Sequence, residues 1–158
     1  MKRILWIPTL ILIAASAVSA QTISPITFET SKKIDGSYTV HNNTLAPVSV
    51  TIEIVGCTYD KTGRHFAPLP STTHVTLSET SFRLGPQATE EIDYKGRTDS
   101  VPSSFAFVTT MTLGHTVVGK DNQAFQVKLV LPETVFVCNK ASKCREQTLR
   151  DAGLWAGK

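Results

Sequence analysis

The stretch from Val75 to Tyr94 limits this chain more than any other. Val75 and Leu77, then Phe82 and Leu84, then Ile92 and Tyr94 alternate with polar neighbours on both sides of a Gly85-Pro86 step. A period of two puts every second side chain on one face of an extended strand, so the pattern fits a strand buried on one side. Pro86 fixes φ and has no N–H, so it ends one strand where the chain turns back. The stretch reads as short strand, step, turn and strand. A surface hairpin of any β-protein would show the same, so the rest of the chain has to decide.

Upstream, Ile23 to Glu29 alternates around Pro25 and reads as an edge strand, where a missing donor costs least. Lys32-Lys33 and Asp35-Gly36 read as a turn. Tyr38 and Val40 are expected to face inward, between Ser37, Thr39 and His41. Asn42-Asn43-Thr44 is turn chemistry and also an N-x-T glycosylation sequon. Val48, Val50, Ile52 and Ile54 point one way in the cleanest strand, which Gly56-Cys57-Thr58-Tyr59 is expected to end. Asp60 to His65 is a polar turn and Phe66 to Thr73 a loop. Phe105 to Met111, apolar on both faces, reads as a central strand. A polar excursion from Gly114 to Gln123 precedes the last long strand, Phe125 to Leu131, which Pro132-Glu133 is expected to interrupt before Thr134 to Val137. Short strands with turns about every ten residues, and no helix in the body, indicate a β-sandwich.

A length of 158 residues allows one domain and a tail. Lys2 and Arg3, an apolar run from Ile4 to Ala15 and the small residues Val18-Ser19-Ala20 read as a secretory signal peptide. The run is about 12 residues against the roughly 20 that span a bilayer, so no membrane span is expected after cleavage. Removal of Lys2 and Arg3 takes the formal charge of +3 to about +1. The remaining charge is uneven, because Lys140, Lys143, Arg145, Arg150 and Lys158 gather after Cys138. A nucleic-acid binder would need a denser basic face with aromatics among it.

An exported chain meets an oxidising compartment, where a disulfide is permitted. Cys138 and Cys144 would close a small local loop; Cys57 pairs with Cys138 if the two halves of the sandwich meet there. Three thiols leave one over. There is no G-x-S-x-G, and nothing marks Ser78 or Ser81, near His74, as activated. His65 and His74 flank a loop, but isolated histidines of this kind are more often solvated than metal-bound. Glu90, Glu91 and Asp93 alternate faces along a strand and form no acid–base pair. No catalytic residue, metal or cofactor is expected.

Binding through a strand is what remains. Phe125, Val127, Leu129 and Leu131 project four large apolar side chains from one face. A core strand would look the same; the functional reading is an edge strand lent to a partner. An exposed apolar edge otherwise invites aggregation, so it needs a use.

Four features occur in a telling order: Val40-His41-Asn42-Asn43, Pro47-Val48-Ser49-Val50, the step Phe82-Arg83-Leu84-Gly85-Pro86, and the run Phe125-Gln126-Val127-Lys128-Leu129. Up to about Val137 the chain resembles the N-terminal immunoglobulin-like domain of PapD-type periplasmic pilus-assembly chaperones. The resemblance implies that the Phe125 run is a donor strand completing the incomplete sandwich of a pilus subunit. Such chaperones have a second domain, for which the residues after Val137 leave no room. They also anchor the subunit's terminal carboxylate with an Arg in the first strand and a Lys in the last. Here Ile23 to Glu29 has no Arg, Pro132 stands where the Lys would, and Lys128 is out of register.

The expectation is an all-β, immunoglobulin-like (PapD-like) antiparallel β-sandwich of about seven strands over residues 21–137. A signal peptide at 1–20 precedes it. A basic tail at 138–158 follows, with a short helix within Lys143 to Trp155. The expected function is a non-enzymatic, periplasmic or secreted chaperone-like module that helps assemble pilus, fimbrial or other cell-surface subunits by β-strand donation. Its partners would be those subunits and an usher, with no nucleic acid. The alternative is a structural component of a surface appendage or secretion assembly.

Overall fold

The computed structural model describes residues 21–114, 117–118, 124–138 and 143–154; the expected signal peptide lies outside them. Pro25 has no N–H, and the first strand breaks there into β1 (Thr22–Ser24) and β2 (Thr27–Thr30). The two pieces join different sheets. The first sheet has the order β1, β3 (Lys33–His41), β8 (Thr89–Thr98), β6 (Thr73–Leu77). The second has the order β2, β12 (Lys128–Val137), β9 (Ser103–Leu113), β4 (Val48–Asp60), β5 (Gly63–Ala67), with β7 (Ser81–Leu84) also on β4. Within the described residues, β10 (Val117–Val118) and β11 (Ala124–Phe125) pair with each other as a separate small hairpin. The pairings are antiparallel except β2 with β12, which is parallel.

The inward faces meet as the alternation requires. Val48, Val50 and Ile52 of β4, Phe105, Phe107 and Met111 of β9, and Val135 and Val137 of β12 pack on Tyr38, Val40, Ile92 and Tyr94 of the opposite sheet. Phe107 stands at the centre: its ring stacks on Tyr38 at 5.3 Å and lies 5.2 Å from Tyr94 and 5.4 Å from Phe105. Offset and edge contacts at these separations suit aromatic quadrupoles. β9 lies between β12 and β4, as its two apolar faces imply.

Several local expectations are corrected. Asp35 and Gly36 are no turn: they lie inside β3, where the Tyr94 ring covers Gly36 so closely that a Cβ there would sit 2.5 Å from the phenol oxygen. β4 does not end at Gly56 to Tyr59 but runs on to Asp60, paired with β5, while Ser104 Oγ donates to the Cys57 carbonyl at 2.6 Å. The loop begun at Phe66 starts later, since β5 extends to Ala67. Pro132 does not interrupt the last strand, which is continuous from Lys128 to Val137. At the other end of that run, Phe125 belongs to β11 rather than β12.

The sequon is also overturned as a modification site. Asn42 is fully buried. Its Nδ2 donates to the carbonyls of Ala46 at 2.9 Å and Gly85 at 2.7 Å, and its Oδ1 accepts from the Thr44 amide at 3.0 Å. Its own amide donates to Ala88 at 2.9 Å. The Gly85-Pro86 turn closes through the Ala88 amide to the Gly85 carbonyl at 3.3 Å, with Gln87 at φ 55° in the position of a type II turn that needs positive φ. One side chain therefore ties the end of β3 to the turn between β7 and β8.

After β12 the chain forms α1 (Cys144–Asp151), joined to the end of β12 by a Cys138–Cys144 disulfide; Cys57 is free and buried. Among the described residues no helix is long and apolar enough to cross a membrane. Replacing Asn42 with Ala leaves buried backbone groups without partners and is expected to lower unfolding free energy by about 2–3 kcal/mol, read from a urea melt; a loss under about 0.5 kcal/mol would contradict the tie.

Candidate partner-binding edge

β12 has a different neighbour on each half of its outer edge. β2 covers Thr134 to Val137 only, while β9 covers the whole strand on the other side. Among the described residues, no strand pairs with the outer edge from Lys128 to Glu133. The cause is upstream: Pro25 sends the first strand to the other sheet, and β2 begins too late to reach further.

The direction of the backbone groups follows from two hydrogen bonds. The Leu113 amide of β9 donates to the Val127 carbonyl at 3.2 Å, and the Thr134 amide donates outward to the Ile26 carbonyl at 3.1 Å. Groups alternate sides along a strand of an antiparallel ladder. Leu129, Leu131 and Glu133 therefore bond to β9, and Lys128, Val130 and Pro132 face the bare edge. Pro132 is tolerated mid-strand because its missing N–H would have faced outward. The bare edge offers the amides and carbonyls of Lys128 and Val130.

The side chains sort in the same way. Leu129 and Leu131 lie opposite Met111 and Thr109 and pack, partly buried, on the core. Val127 is 48% exposed and Val130 52%, with Ile26 of the crossover 65% exposed. Phe125 pairs with Val117 in the small hairpin, so the four residues do not share one strand. Behind this edge sits Glu133, fully buried and pushed up to about 8 by that burial. Burial also raises Tyr38, and raises Tyr94 to about 12, with the Glu133 charge adding to both.

The other candidates are dispersed. His65 bonds Asp60 at 3.0 Å, and Asp60 is pulled down to about 2, first by its hydrogen bonds from Thr62 and then by His65. His74 is in the opposite sheet, on β6. The described residues contain no group of three or more His, Cys, Asp or Glu set to hold a metal. Ser78 Oγ accepts from the Asp93 amide at 3.1 Å. Glu90, Glu91 and Asp93 are exposed on β8. Burial pushes the Cys57 thiol up, away from the thiolate that reactivity requires. A surface cavity of about 450 Å³ lies between Cys57, Tyr59 and Ser104 of the sheet and Thr148, Asp151 and Ala152 by α1.

No family model and no curated protein matches the sequence. Solved structures do match. The E. coli chaperone DraB superposes with a TM-score of 0.55 at 15% identity, covering 77% of this chain and 56% of its own. The fold is the PapD-like, immunoglobulin-like sandwich. The class 5 fimbriae chaperone CfaA gives 0.54 at 10% identity, covering 77% and 57%. A chain of the CsuC–CsuE chaperone–tip adhesion subunit pre-assembly complex, from the archaic chaperone-usher Csu pili of Acinetobacter baumannii, gives 0.52 at 12% identity, covering 87% and 62%. The chain spans less than two thirds of the length of these PapD-like matches.

Replacing Pro132 with Ala adds an N–H that faces the bare edge and can be hydrated there, so its expected effect on a thermal melt is about 1 kcal/mol or less. A loss of about 3 kcal/mol, as for a donor buried without a partner, would mean that the edge is covered.

Proposed function

We propose that this protein is a chaperone-like binding module of the periplasm or cell exterior, and that it lends the outer edge of β12 to an incomplete pilus or other surface-fibre subunit. The reading rests on one observation: among the described residues, no strand pairs with the outer edge of β12 from Lys128 to Glu133. Phe66 is exposed on the edge strand β5, but the same strand carries Arg64 and His65, and β6 carries His74 between Thr73 and Val75. Such residues discourage pairing with another chain. The bare edge of β12 instead presents Val130, with Val127 just before the strand, beside backbone groups that no described strand pairs, the arrangement that β-augmentation uses. The likeness to fimbrial chaperones gives the reading its partner class, and the signal-like N-terminus gives it an address.

Donation then takes a specific form here. Main-chain bonds to Lys128 and Val130 would hold the partner strand, and Val127, Leu129 and Leu131 would supply apolar contact, with Phe125 at the approach. A carboxylate clamp is no part of it, since the first strand has no Arg and Pro132 replaces the Lys. Neither redox nor hydrolytic chemistry enters.

Val127→Asp combined with Val130→Lys changes exposed residues, so the sandwich should fold. Binding to a purified pilus subunit in a pull-down or calorimeter is expected to weaken at least about tenfold, while Thr76→Asp on the β6 edge leaves it unchanged. Equal binding by the double variant, with the fold intact by circular dichroism, would remove the proposed role.

A further inference from the structure

Glu133 occupies a position that strand lending does not require. It lies on the inward face of β12, opposite Phe107, with no exposed surface and, among the described residues, no hydrogen-bond partner for either carboxyl oxygen. The buried hydroxyls of Tyr38 and Thr109 act on each other and neither bonds the carboxyl. Around it lie the Phe107 ring opposite and the phenols of Tyr38 on β3 and Tyr94 on β8, both of which feel its charge. None is cationic. The carboxyl of β2, Glu29, points outward to the Arg145 amide; Glu53 of β4 and Lys128 of β12 are exposed; and Asp35, which acts on Tyr94, is negative too. Burial disfavours the ionised form of a carboxyl in such a place, and no cationic neighbour offsets it.

Its place along the strand gives that burial a consequence. The next residue, Thr134, makes the bond from β12 to the Ile26 carbonyl, and Cys138 closes the seam through the Thr30 carbonyl at 3.0 Å. Glu133 therefore sits where the edge of β12 passes from bare to covered. We propose that Glu133 is a proton-operated latch on the seam between β12 and the 25–30 segment: protonated, it lets the seam close; once its proton passes to water, the carboxylate must be hydrated, and the seam opens. Opening extends the bare edge of β12 beyond Thr134. The inference stands on the fold and needs no partner.

The sign follows from burial. The unfolded chain loses this proton near the ordinary 4.5 and the folded chain near 8. Below about 4.5 both states hold it, and folding bears no penalty. Between those values the unfolded state binds fewer protons, so stability falls as pH rises. Above about 8 the folded chain ionises as well, and the seam loosens.

The test is residue-resolved amide exchange in the free mature chain, corrected for the intrinsic pH dependence, at about pH 6 and about pH 9. Protection at Thr134 and Cys138 is expected to drop at least about tenfold between the two, while amides bonding β4 to β9 keep theirs. Glu133→Gln is expected to hold the same protection at both. Unchanged protection in the natural chain, or the same loss in Glu133→Gln, overturns the latch. Should the Gln variant not fold, carboxyl-carbon NMR of the natural chain decides: a Glu133 midpoint near 8 is expected, and an ordinary one near 4.5 overturns the proposal.

Discussion

The structure depends on a single shortage: the first strand cannot close both sheets. Pro25 breaks it, β1 seals one edge of the first sheet along Thr22 to Ser24, and β2 reaches the second sheet only along Thr27 to Thr30. Among the described residues, what is left over is the outer edge of β12 from Lys128 to Glu133. Its residues are apolar enough to be a hazard if nothing ever pairs with them.

Everything around that edge is firmly built. The ring cluster of Tyr38, Tyr94, Phe105 and Phe107 locks the two sheets together, and Asn42 binds the ends of three elements with one amide. β9 holds β12 along its whole length. A partner meeting the bare edge would therefore find its backbone groups already aimed, which reduces the ordering cost of binding. Glu133 is the exception to this firmness. A buried, unpaired carboxyl is a standing liability, and it lies at the joint between covered and uncovered strand.

Much of this was legible in residue order, and the failures have physical causes. Val48, Val50 and Ile52, Tyr38 and Val40, and Ile92 and Tyr94 face inward as alternation requires, because a strand has only two faces. Pro132 misled because its cost depends on which way the absent N–H points, and that is fixed by register, not by residue type. Asp35-Gly36 looked like a turn because glycine's use here is to admit a ring from a distant strand. The Asn42 sequon hid a buried brace, since a three-residue motif says nothing about burial. The choice of Cys138 with Cys144 needed the position of α1. Glu133 was missed although a signal was present: in Leu129-x-Leu131-x-Glu133-x-Val135-x-Val137 it holds an inward place among apolar residues.

The proposed role requires a partner's strand to complete the sheet at the outer edge of β12. Amide exchange at Lys128 and Val130, compared with and without a bound pilus subunit, tests it most directly. Rapid exchange is expected at both in the free protein, slowing at least about a hundredfold in the complex. A complex that forms while both amides keep exchanging freely, with new protection at β5 or β6 instead, would contradict it.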